Sequence, residues 1–434
     1  MDWLCQPDMD FETGAGWIER FISDLPNNAI GLQPYPTALR GINWIKFIAK
    51  YDECLPSSQH KRWNDSLYSQ YEYLSRRLEY HLLGNHLLED AFSLYVGALY
   101  FRDSGFYRCS SRLLRAQLNE QILSDGAHYE QSPMYHCILL DRLLDCYNFS
   151  ANNIAFNSQK SITLLLARKA CQMLGYLESI VWRDGTIPLL NDSAYNIAPT
   201  PAEIFEYARR LGLRWQVIPL GASGYRKFLN EYFEAVVDIG NIAAHYQPGH
   251  AHADTFNYEL RIAGHPFIVD TGISTYEKNV RRQYERSTAA HNTVSIGNRD
   301  SCEVWGGFRV GRRALVKIID DTSKYLAAFH NGFGKQYLHK RVFFLSQDEF
   351  TIIDTLPTEC TGVSYIHFAP GVTVVEWDKK HIVTNLAVIH INGSYKIEIT
   401  EGLVSQEYNR LLPAKIVNFF LQNDTIHRSL KTSL

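Results

Sequence analysis

One segment of the chain concentrates the residue types that acid–base and metal chemistry use. The sequence PGHAHADTF (248–256) carries His250, His252 and Asp254 at alternate positions. If the segment is a β-strand, these side chains share one face, because successive side chains of a strand point to opposite sides. Three polar side chains on one face are costly to bury without partners. We therefore expect them either to face solvent or to build a site.

Two residues farther along the chain extend this segment toward a metal site. Asp270 ends the stretch FIVD, and His291 begins the stretch HNTVSIG. Together with His252 they supply two imidazoles and one carboxylate, and both ligand types suit zinc. The chain holds 16 histidines, so such sets also arise by chance. Hydrogen-bonded or solvated histidines are the plainer alternative.

A second polar group interrupts an apolar helical pattern in LLGNHLLEDA (82–91). His86 and Glu89 are three residues apart and therefore share a helix face. Asn85 lies beside them, and Gly84 permits close approach of another backbone or a ligand. A helix-terminal amide and a hydrogen-bonded histidine would explain the same residues without a site.

A third group surrounds Tyr135 in SDGAHYEQSPMYH (124–136). Ser132-Pro133 predicts a helix start with proline at the first helical position. Tyr135 then lies in the first turn, where nearby N–H groups and histidines would favour a phenolate. A packed tyrosine is the plainer alternative. The loop WRDGTIPLLNDSA (182–194) could border a cleft, although ordinary turn chemistry explains it equally well.

The elements that must position these residues change character along the chain. Residues 71–101, 136–147 and 161–181 repeat apolar residues at three- and four-residue spacing, which indicates packed helices. Beyond about residue 221, short stretches rich in Val, Ile, Phe, Tyr and Thr alternate with turn residues, which indicates antiparallel sheets. We predict an α+β multidomain chain with a helical domain at 1–218 and an antiparallel β-sheet domain at 219–434.

Composition excludes several classes of protein. The 434 residues carry 43 Lys+Arg against 46 Asp+Glu, so the charge gives no general attraction to nucleic acid. No apolar run approaches the roughly 20 residues of a membrane span. The first 16 residues show no secretion signal. The motifs of Rossmann folds, P-loops, serine-hydrolase elbows and HExxH proteases are absent.

The order of the polar motifs resembles the heparinase II/III-like polysaccharide lyase family. The resemblance is carried by GNHLLED, DGAHYEQSPMYH, RDGTIPLLNDS, PGHAHADTFNYEL, IVDTGISTY, RSTAAHNTV and EVWGGFRVGRRA. It implies an N-terminal incomplete (α/α) toroid followed by a C-terminal antiparallel β-sandwich. Family members are usually periplasmic or secreted, whereas this chain shows no signal, so no compartment is assigned.

The resemblance also implies a reaction, the β-elimination of an acidic, uronate-containing polysaccharide. In that reaction a base removes the C5 proton, the C4–O bond breaks and an unsaturated uronate forms. Tyr135 matches the family tyrosine that acts as the acid and in many members also as the base, and His250 matches the family's catalytic histidine. Whether Tyr135 or a histidine is the base stays open. Asn85 and His86 match groups that offset the charge of the uronate carboxylate, and His86 also matches a possible base.

The resemblance implies further contacts and a cofactor. Six residues within the matching motifs are expected to bind substrate: Glu89, His128, Tyr129, Glu130, Arg286 and Trp305. His252, Asp270 and His291 match a structural zinc site that some members contain. The basic stretches RRQYER (281–286) and KQYLHKR (335–341) are candidates for sulfate contacts or plain solvated faces.

Two other functions remain open at this point. A glycan-binding protein of the same fold with little turnover would bind the polymer without cleaving it. A metal-dependent glycan hydrolase would use His252, Asp270 and His291 around an open coordination position. The hydrolase would place solvent oxygen in its product and leave no unsaturated sugar. No sequence feature indicates an oligomeric state.

Overall fold

A computed structural model gives the architecture of the chain. It describes residues 2–27, 30–357, 360–393, 396–422 and 425–432. The described part begins with helices and continues with antiparallel strands, in the order that the residue pattern predicts. Within it, no helix combines the length and apolar character needed to cross a membrane.

The described part contains nine α-helices and three short 3-10 helices. They are α1 (Phe11–Asp24), α2 (Pro34–Lys50), α3 (Ser57–Ser75), α4 (Gly84–Phe101), α5 (Ser104–Gln121), α6 (Pro133–Asn152), α7 (Gln159–Ile180), α8 (Pro201–Arg210) and α9 (Val280–Glu285).

The strands of the described part begin at residue 225. They are β1 (Tyr225–Leu229), β2 (Phe233–Asp238), β3 (Tyr258–Ile262), β4 (His265–Ile268), β5 (Val294–Ile296), β6 (Val304–Trp305), β7 (Arg309–Val310), β8 (Val316–Asp321), β9 (Tyr325–His330), β10 (His339–Leu345), β11 (Glu349–Thr355), β12 (Thr361–His367), β13 (Val374–Trp377), β14 (His381–Thr384), β15 (Ala387–Asn392), β16 (Lys396–Glu407), β17 (Arg410–Gln422) and β18 (Thr425–Thr432).

Packing divides the chain into two compact units. The first contains Met1–Ile122, Leu139–Cys171 and Tyr207–Arg214, and the second contains the remaining segments, including all the strands. The units alternate along the chain, whereas the predicted domains divide it once, between residues 218 and 219. That single division stays a prediction.

The first unit is built on close packing of helices α2 and α4 against the ring of Tyr71. Tyr71 is buried, and a Cβ added to Gly41 or Gly97 would come within 2.8 Å of its ring. Such a distance is shorter than carbon atoms tolerate, so both positions require glycine for this approach. Trp44 and Trp63 complete the aromatic centre of this unit and are fully buried.

The second unit contains a β-sandwich core. The strands form sheets in the order β1-β2-β3-β4, β13-β14-β15-β18-β11-β10-β9-β8 and β16-β17-β12-β5, with β6-β7 as a separate pair. Phe233 of the first sheet packs against Phe350 of the eight-stranded sheet. Ala263 and Gly264 connect β3 to β4 with positive φ angles of 50° and 82°, as a two-residue hairpin requires.

A buried carboxylate organises the polar centre of the sandwich. Asp354 on β11 accepts two hydrogen bonds from Arg341 on β10, at 2.6 and 2.8 Å, and a further one from Arg428. His339 Nε2 lies 2.7 Å from the same carboxylate. Burial opposes its ionisation, but the two arginines outweigh that effect and hold the pKa of Asp354 well below its usual range.

Replacing Asp354 by Asn should destabilise the protein strongly, because two fully buried guanidinium groups would lose their counter-charge. We expect the free energy of unfolding to fall by about 3–5 kcal/mol, measured by denaturant titration. The control is Asp348→Asn, at an exposed turn between β10 and β11, which should change it by less than about 0.5 kcal/mol. Equal losses in the two variants would show that Asp354 has no special role.

Candidate active site

Tyr135 lies in the first turn of α6, where the sequence predicts it. The helix begins at Pro133, and the Tyr135 backbone N–H donates to Ser132 Oγ over 3.3 Å. Ser132 Oγ in turn donates to the backbone oxygen of Asp192 over 2.7 Å. The start of α6 is therefore hydrogen-bonded directly to the loop that contains Asp192.

The Tyr135 ring stacks on the imidazole of His250. The ring centroids are 3.9 Å apart and the planes differ by 27°. The Tyr135 hydroxyl also lies 3.1 Å from the hydroxyl of Tyr276. Two phenols and one imidazole thus share a small volume within the second unit, and all three can exchange protons.

The segment that carries His250 and His252 is irregular, so the conditional expectation of a strand there is wrong. The strand β3 begins only at Tyr258. The two histidines nevertheless converge, because both bind the carboxylate of Asp192. His250 Nδ1 lies 2.9 Å from Asp192 Oδ2, and His252 Nε2 lies 2.8 Å from Asp192 Oδ1.

Arg282 completes this cluster with a bidentate ion pair. Its Nη1 and Nη2 donate to the two oxygens of Asp192 over 2.5 and 2.8 Å, and both residues are fully buried. Burial acts against the charged carboxylate, but Arg282 and the histidines hold the pKa of Asp192 well below its usual range. Asp192 is therefore an anion that only accepts hydrogen bonds.

The surroundings of Tyr135 disfavour its phenolate, whereas the sequence predicts that nearby N–H groups and histidines favour it. Burial raises the pKa of Tyr135 well above its ordinary value, and the charges of Asp192 and Glu130 act in the same direction. The hydrogen bond to Tyr276 and the charge of Arg282 oppose them only in part. Tyr135 is thus a neutral phenol near pH 7, which is the state of a proton donor.

The residues predicted to bind substrate in the 128–130 segment lie against this cluster. His128 and Glu130 are buried, and Glu130 Oε2 is 3.7 Å from His250 Nε2 and 3.9 Å from His128 Nδ1. The Tyr129 ring packs edge-on against His128, with centroids 5.0 Å apart. The Glu130 carboxylate thus lies on the Nε2 side of His250, and the predicted substrate contacts of His128, Tyr129 and Glu130 stay predictions.

Arg286 and Trp305 have different environments. Arg286 is fully buried, and its guanidinium donates to the backbone oxygens of Ala251, at 2.8 Å, and Arg309, at 3.3 Å. The guanidinium of Arg286 is thus bound to backbone oxygens in the described structure, and its expected substrate contact stays a prediction. Trp305 on β6 is 44% exposed and keeps a face that a sugar ring could stack on.

Asn85, His86 and Glu89 lie on α4, in the first unit. His86 Nδ1 is 2.9 Å from Glu79 Oε2, and its ring packs on Tyr35. Asn85 is buried at the start of the helix, and Glu89 is fully buried with its Oε2 3.7 Å from Arg142 Nε. Of these three side chains, that of Glu89 is the most enclosed and therefore fits a substrate contact least well.

The three predicted zinc ligands are neighbours in the second unit. His291 Nδ1 lies 2.7 Å from Asp270 Oδ2, and the rings of His291 and His252 are 5.2 Å apart. His252 Nδ1 and His291 Nε2 are buried, with no hydrogen-bond partner among the described residues. The described part nevertheless contains no group of three or more such side chains in a geometry that could hold a metal.

Comparison with known proteins identifies the family. A family model described as Heparinase II/III-like, C-terminal, matches residues 213–429, which is half of the chain, and one described as Heparinase II/III N-terminus matches residues 55–208. The chain belongs to the heparinase II/III-like family. The resemblance carried by the sequence motifs is thereby confirmed.

Relatives of this heparinase II/III-like chain are distant in sequence. A heparin-sulfate lyase of Pedobacter heparinus is 24% identical over 385 residues, covering 80% of this chain and 57% of that protein. The chain thus spans little more than half the length of this relative.

Solved structures confirm the predicted fold class, a helical toroid followed by an antiparallel β-sandwich. A crystal structure of heparinase III has a TM-score of 0.75 at 16% identity and covers 97% of this chain and 74% of that one. A mutant heparan sulfate lyase from Pedobacter heparinus has a TM-score of 0.71 at 17% identity, covering 97% and 73%.

Sequence reasoning assigned no role to three residues of the candidate site. Asp192 stood in a loop that turn chemistry also explained, and Tyr276 stood unremarked in the motif IVDTGISTY. Arg282 lies in the basic stretch RRQYER, which offered either sulfate contacts or a solvated face. The structure instead places Arg282 in α9, fully buried against Asp192. No signal in the sequence pairs Arg282 with Asp192, because tertiary packing alone brings them together.

The protonation state of Tyr135 can be checked by ultraviolet difference spectroscopy. Subtracting the spectrum of Tyr135→Phe from the wild type isolates one phenol. Because burial disfavours the phenolate, we expect no phenolate band at pH 9, below the ordinary tyrosine pKa of about 10. A phenolate band that develops near pH 8 would mean that Tyr135 ionises readily and serves as a base.

Proposed function

We propose that this chain is a polysaccharide lyase that cleaves a uronate-containing polysaccharide by β-elimination. The observation that carries the proposal is the stacked pair of Tyr135 and His250, flanked by the hydroxyl of Tyr276. The curated relative named above is a heparin-sulfate lyase, which supports the same class of reaction.

The chemistry explains why these residue types are needed. The C5 proton of a uronate is weakly acidic because its removal builds a second negative charge beside the carboxylate. An enzyme must stabilise that charge with N–H or O–H groups already in place, and each such donor is worth about 3 kcal/mol of barrier. We assign this task to Asn85 and His86, on the motif that the family shares.

Proton transfer is assigned to the two stacked rings. His250 accepts the C5 proton, and Tyr135 donates its phenolic proton to the C4 oxygen as the C4–O bond breaks. The neutral state of Tyr135 supports its role as the acid. The product then carries a C4–C5 double bond, and no water is consumed.

Substrate contacts are assigned to the exposed aromatic surface beside the site. Trp305 offers a ring face to a sugar, and the neighbouring Phe308 is 38% exposed and stacks on Tyr276 with centroids 5.6 Å apart. Both residues lie around the turn of the β6–β7 hairpin. We expect an acidic polysaccharide as the partner, with these rings binding its pyranose faces.

Replacing Tyr135 by Phe should remove the acid without disturbing the stack on His250. We expect the rate of unsaturated product formation to fall at least about 100-fold, the usual contribution of a positioned acid. Ultraviolet absorbance of unsaturated ends, read on a panel of uronate polymers, measures it. Tyr325→Phe on β9 is the matched control and should keep the wild-type rate. Full activity in Tyr135→Phe would remove Tyr135 from the mechanism.

We further propose that His252, Asp270 and His291 hold a structural zinc ion. The two buried imidazole nitrogens without hydrogen-bond partners support this, because both can act as ligands once deprotonated. When bound, zinc would fix the positions of these three side chains, since elimination requires no activated water. Asp192 then lies behind one ligand, as carboxylates commonly do beside metal-bound histidines.

Zinc binding should be visible without any activity measurement. At free zinc 100 times its Kd, we expect the free energy of unfolding to rise by about 2.7 kcal/mol relative to chelated protein. His291→Ala should abolish this gain, whereas His381→Ala, at a partly exposed position on β14, should preserve it. Zinc that neither binds nor stabilises the wild type would contradict the site.

A further inference from the structure

His86 faces a carboxylate that the proposed mechanism does not use. Glu79 lies in the connection between α3 and α4, is buried, and places its Oε2 2.9 Å from His86 Nδ1. The His86 side chain is 39% exposed, and its other ring nitrogen, Nε2, makes no hydrogen bond or ion pair within the described part of the chain. Glu79 therefore engages one ring nitrogen and leaves the other for a ligand.

The backbone of the chain also holds Glu79 in place. The N–H of Glu79 donates to Asp90 Oδ2 over 2.8 Å. The backbone oxygen of Glu79 accepts from the N–H groups of Leu82 and Leu83, over 3.0 and 2.9 Å. These bonds close the connection immediately before α4, whose first turn carries His86. The carboxylate and the imidazole are thus fixed by one short segment of chain.

Asp90 supports this arrangement without adding a second charge. It is fully buried on α4, and burial raises its pKa to about 8. The backbone N–H of Glu79 lowers that pKa, whereas the side chains of Glu79 and Glu89 raise it. Near pH 7 Asp90 is therefore mostly protonated. The carboxylate that faces His86 is that of Glu79.

The position of Glu79 decides how His86 can act. An ionised carboxylate accepts hydrogen bonds and donates none, so the imidazole nitrogen that faces it carries a proton. Nε2 is then the ring nitrogen that can meet the substrate. In the proposed mechanism His86 offsets the charge of the uronate carboxylate, and from this position it does so as an Nε2–H donor. A ring that donates from both nitrogens is an imidazolium, and Glu79 is the counter-charge beside it.

We propose that Glu79 is the positioning residue of His86: it binds Nδ1, directs Nε2 to the substrate and supplies the counter-charge of the imidazolium that binds the uronate carboxylate. The inference rests on the proposed lyase function, in which His86 stabilises that carboxylate. It makes His86 a cationic donor and not a base, because a base needs a lone pair on Nε2. It assigns Glu79 no contact with the sugar.

The test compares two replacements of Glu79 that have similar size. Glu79→Gln keeps an oxygen acceptor and removes the charge, whereas Glu79→Met removes both. The matched control is Glu72→Met on α3, where Glu72 is exposed and pairs with Arg76 over 3.5 Å. Thermal unfolding confirms that the variants are folded.

Nitrogen-15 NMR of histidine-labelled protein reports which ring nitrogen of His86 carries a proton, and His86→Ala identifies the signals. We expect a proton on Nδ1 in the wild type and in Glu72→Met. Glu79→Met should release Nδ1, so that the neutral Nε2–H form appears. In Tyr135→Phe protein saturated with the polymer that the wild type cleaves, both ring nitrogens of His86 should carry protons.

A kinetic cycle separates positioning from plain stability. Because removal of one donor to the developing charge costs about 10²–10³ in kcat, we expect Glu79→Met to lower kcat at least about 50-fold. Glu79→Gln should give a smaller loss, and Glu72→Met should keep the wild-type kcat. In the His86→Ala background, Glu79→Met should change kcat by less than about 2-fold, because its effect passes through the missing ring.

Each outcome decides the inference. A neutral Nε2–H form of His86 in the wild type overturns it, even if no variant folds. Wild-type kcat in Glu79→Met, or an equal loss of kcat with and without His86, overturns it as well. An unprotonated Nε2 in the Tyr135→Phe complex contradicts the cationic donor. If the wild type cleaves no uronate polymer, the proposed function fails, whereas loss of the Nδ1 proton in Glu79→Met still supports Glu79 as the positioning residue.

Discussion

A fully buried ion pair between Asp192 and Arg282 is the interaction on which the candidate site depends. Removing two charges from water costs several kcal/mol per ion, and their attraction offsets this only when the geometry is good and the other donors and acceptors are satisfied. Here the guanidinium is bidentate, and each remaining carboxylate position accepts from a histidine. A hydrophobic pair could fill the same space, but it could not orient the imidazoles of His250 and His252. We therefore attribute the ion pair to the orientation of these two side chains rather than to the stability of the fold.

The β-sandwich contains a second buried pair of an arginine and an aspartate. Arg341, paired with Asp354, also donates to the backbone oxygens of Phe256 and Asn292, at 2.7 and 2.6 Å. Asn292 directly follows His291, and Phe256 lies two residues beyond Asp254. The irregular chain segments that carry the histidines are therefore anchored to strands β10 and β11 as well as to the Asp192 loop. Because these segments have little regular secondary structure, such charged anchors replace the hydrogen-bond ladder that a strand would supply.

Local signals in the sequence predicted local features well. Ser132-Pro133 predicted the start of α6, and the change of residue pattern near residue 221 predicted the strands, which begin at Tyr225. The apolar pattern over 71–101 did not reveal its interruption: α3 ends at Ser75 and α4 begins at Gly84, where Leu83 and Gly84 adopt positive φ angles. Likewise, no spacing rule joins Asp192 to Arg282, 90 residues apart, because only tertiary packing determines which buried charges meet. The pairing of Tyr135 with His250 was expected from the family resemblance and not from the residues alone.

The central claim is that bond cleavage at this site is an elimination driven by proton transfer between His250, the sugar and Tyr135. Carrying out the cleavage of a uronate polymer in water enriched in heavy oxygen tests it most directly, with the products read by mass spectrometry. The account predicts products that contain no solvent oxygen and whose masses sum to that of the substrate. One heavy oxygen atom incorporated at each cleavage would show that water attacks the bond, and would contradict the account.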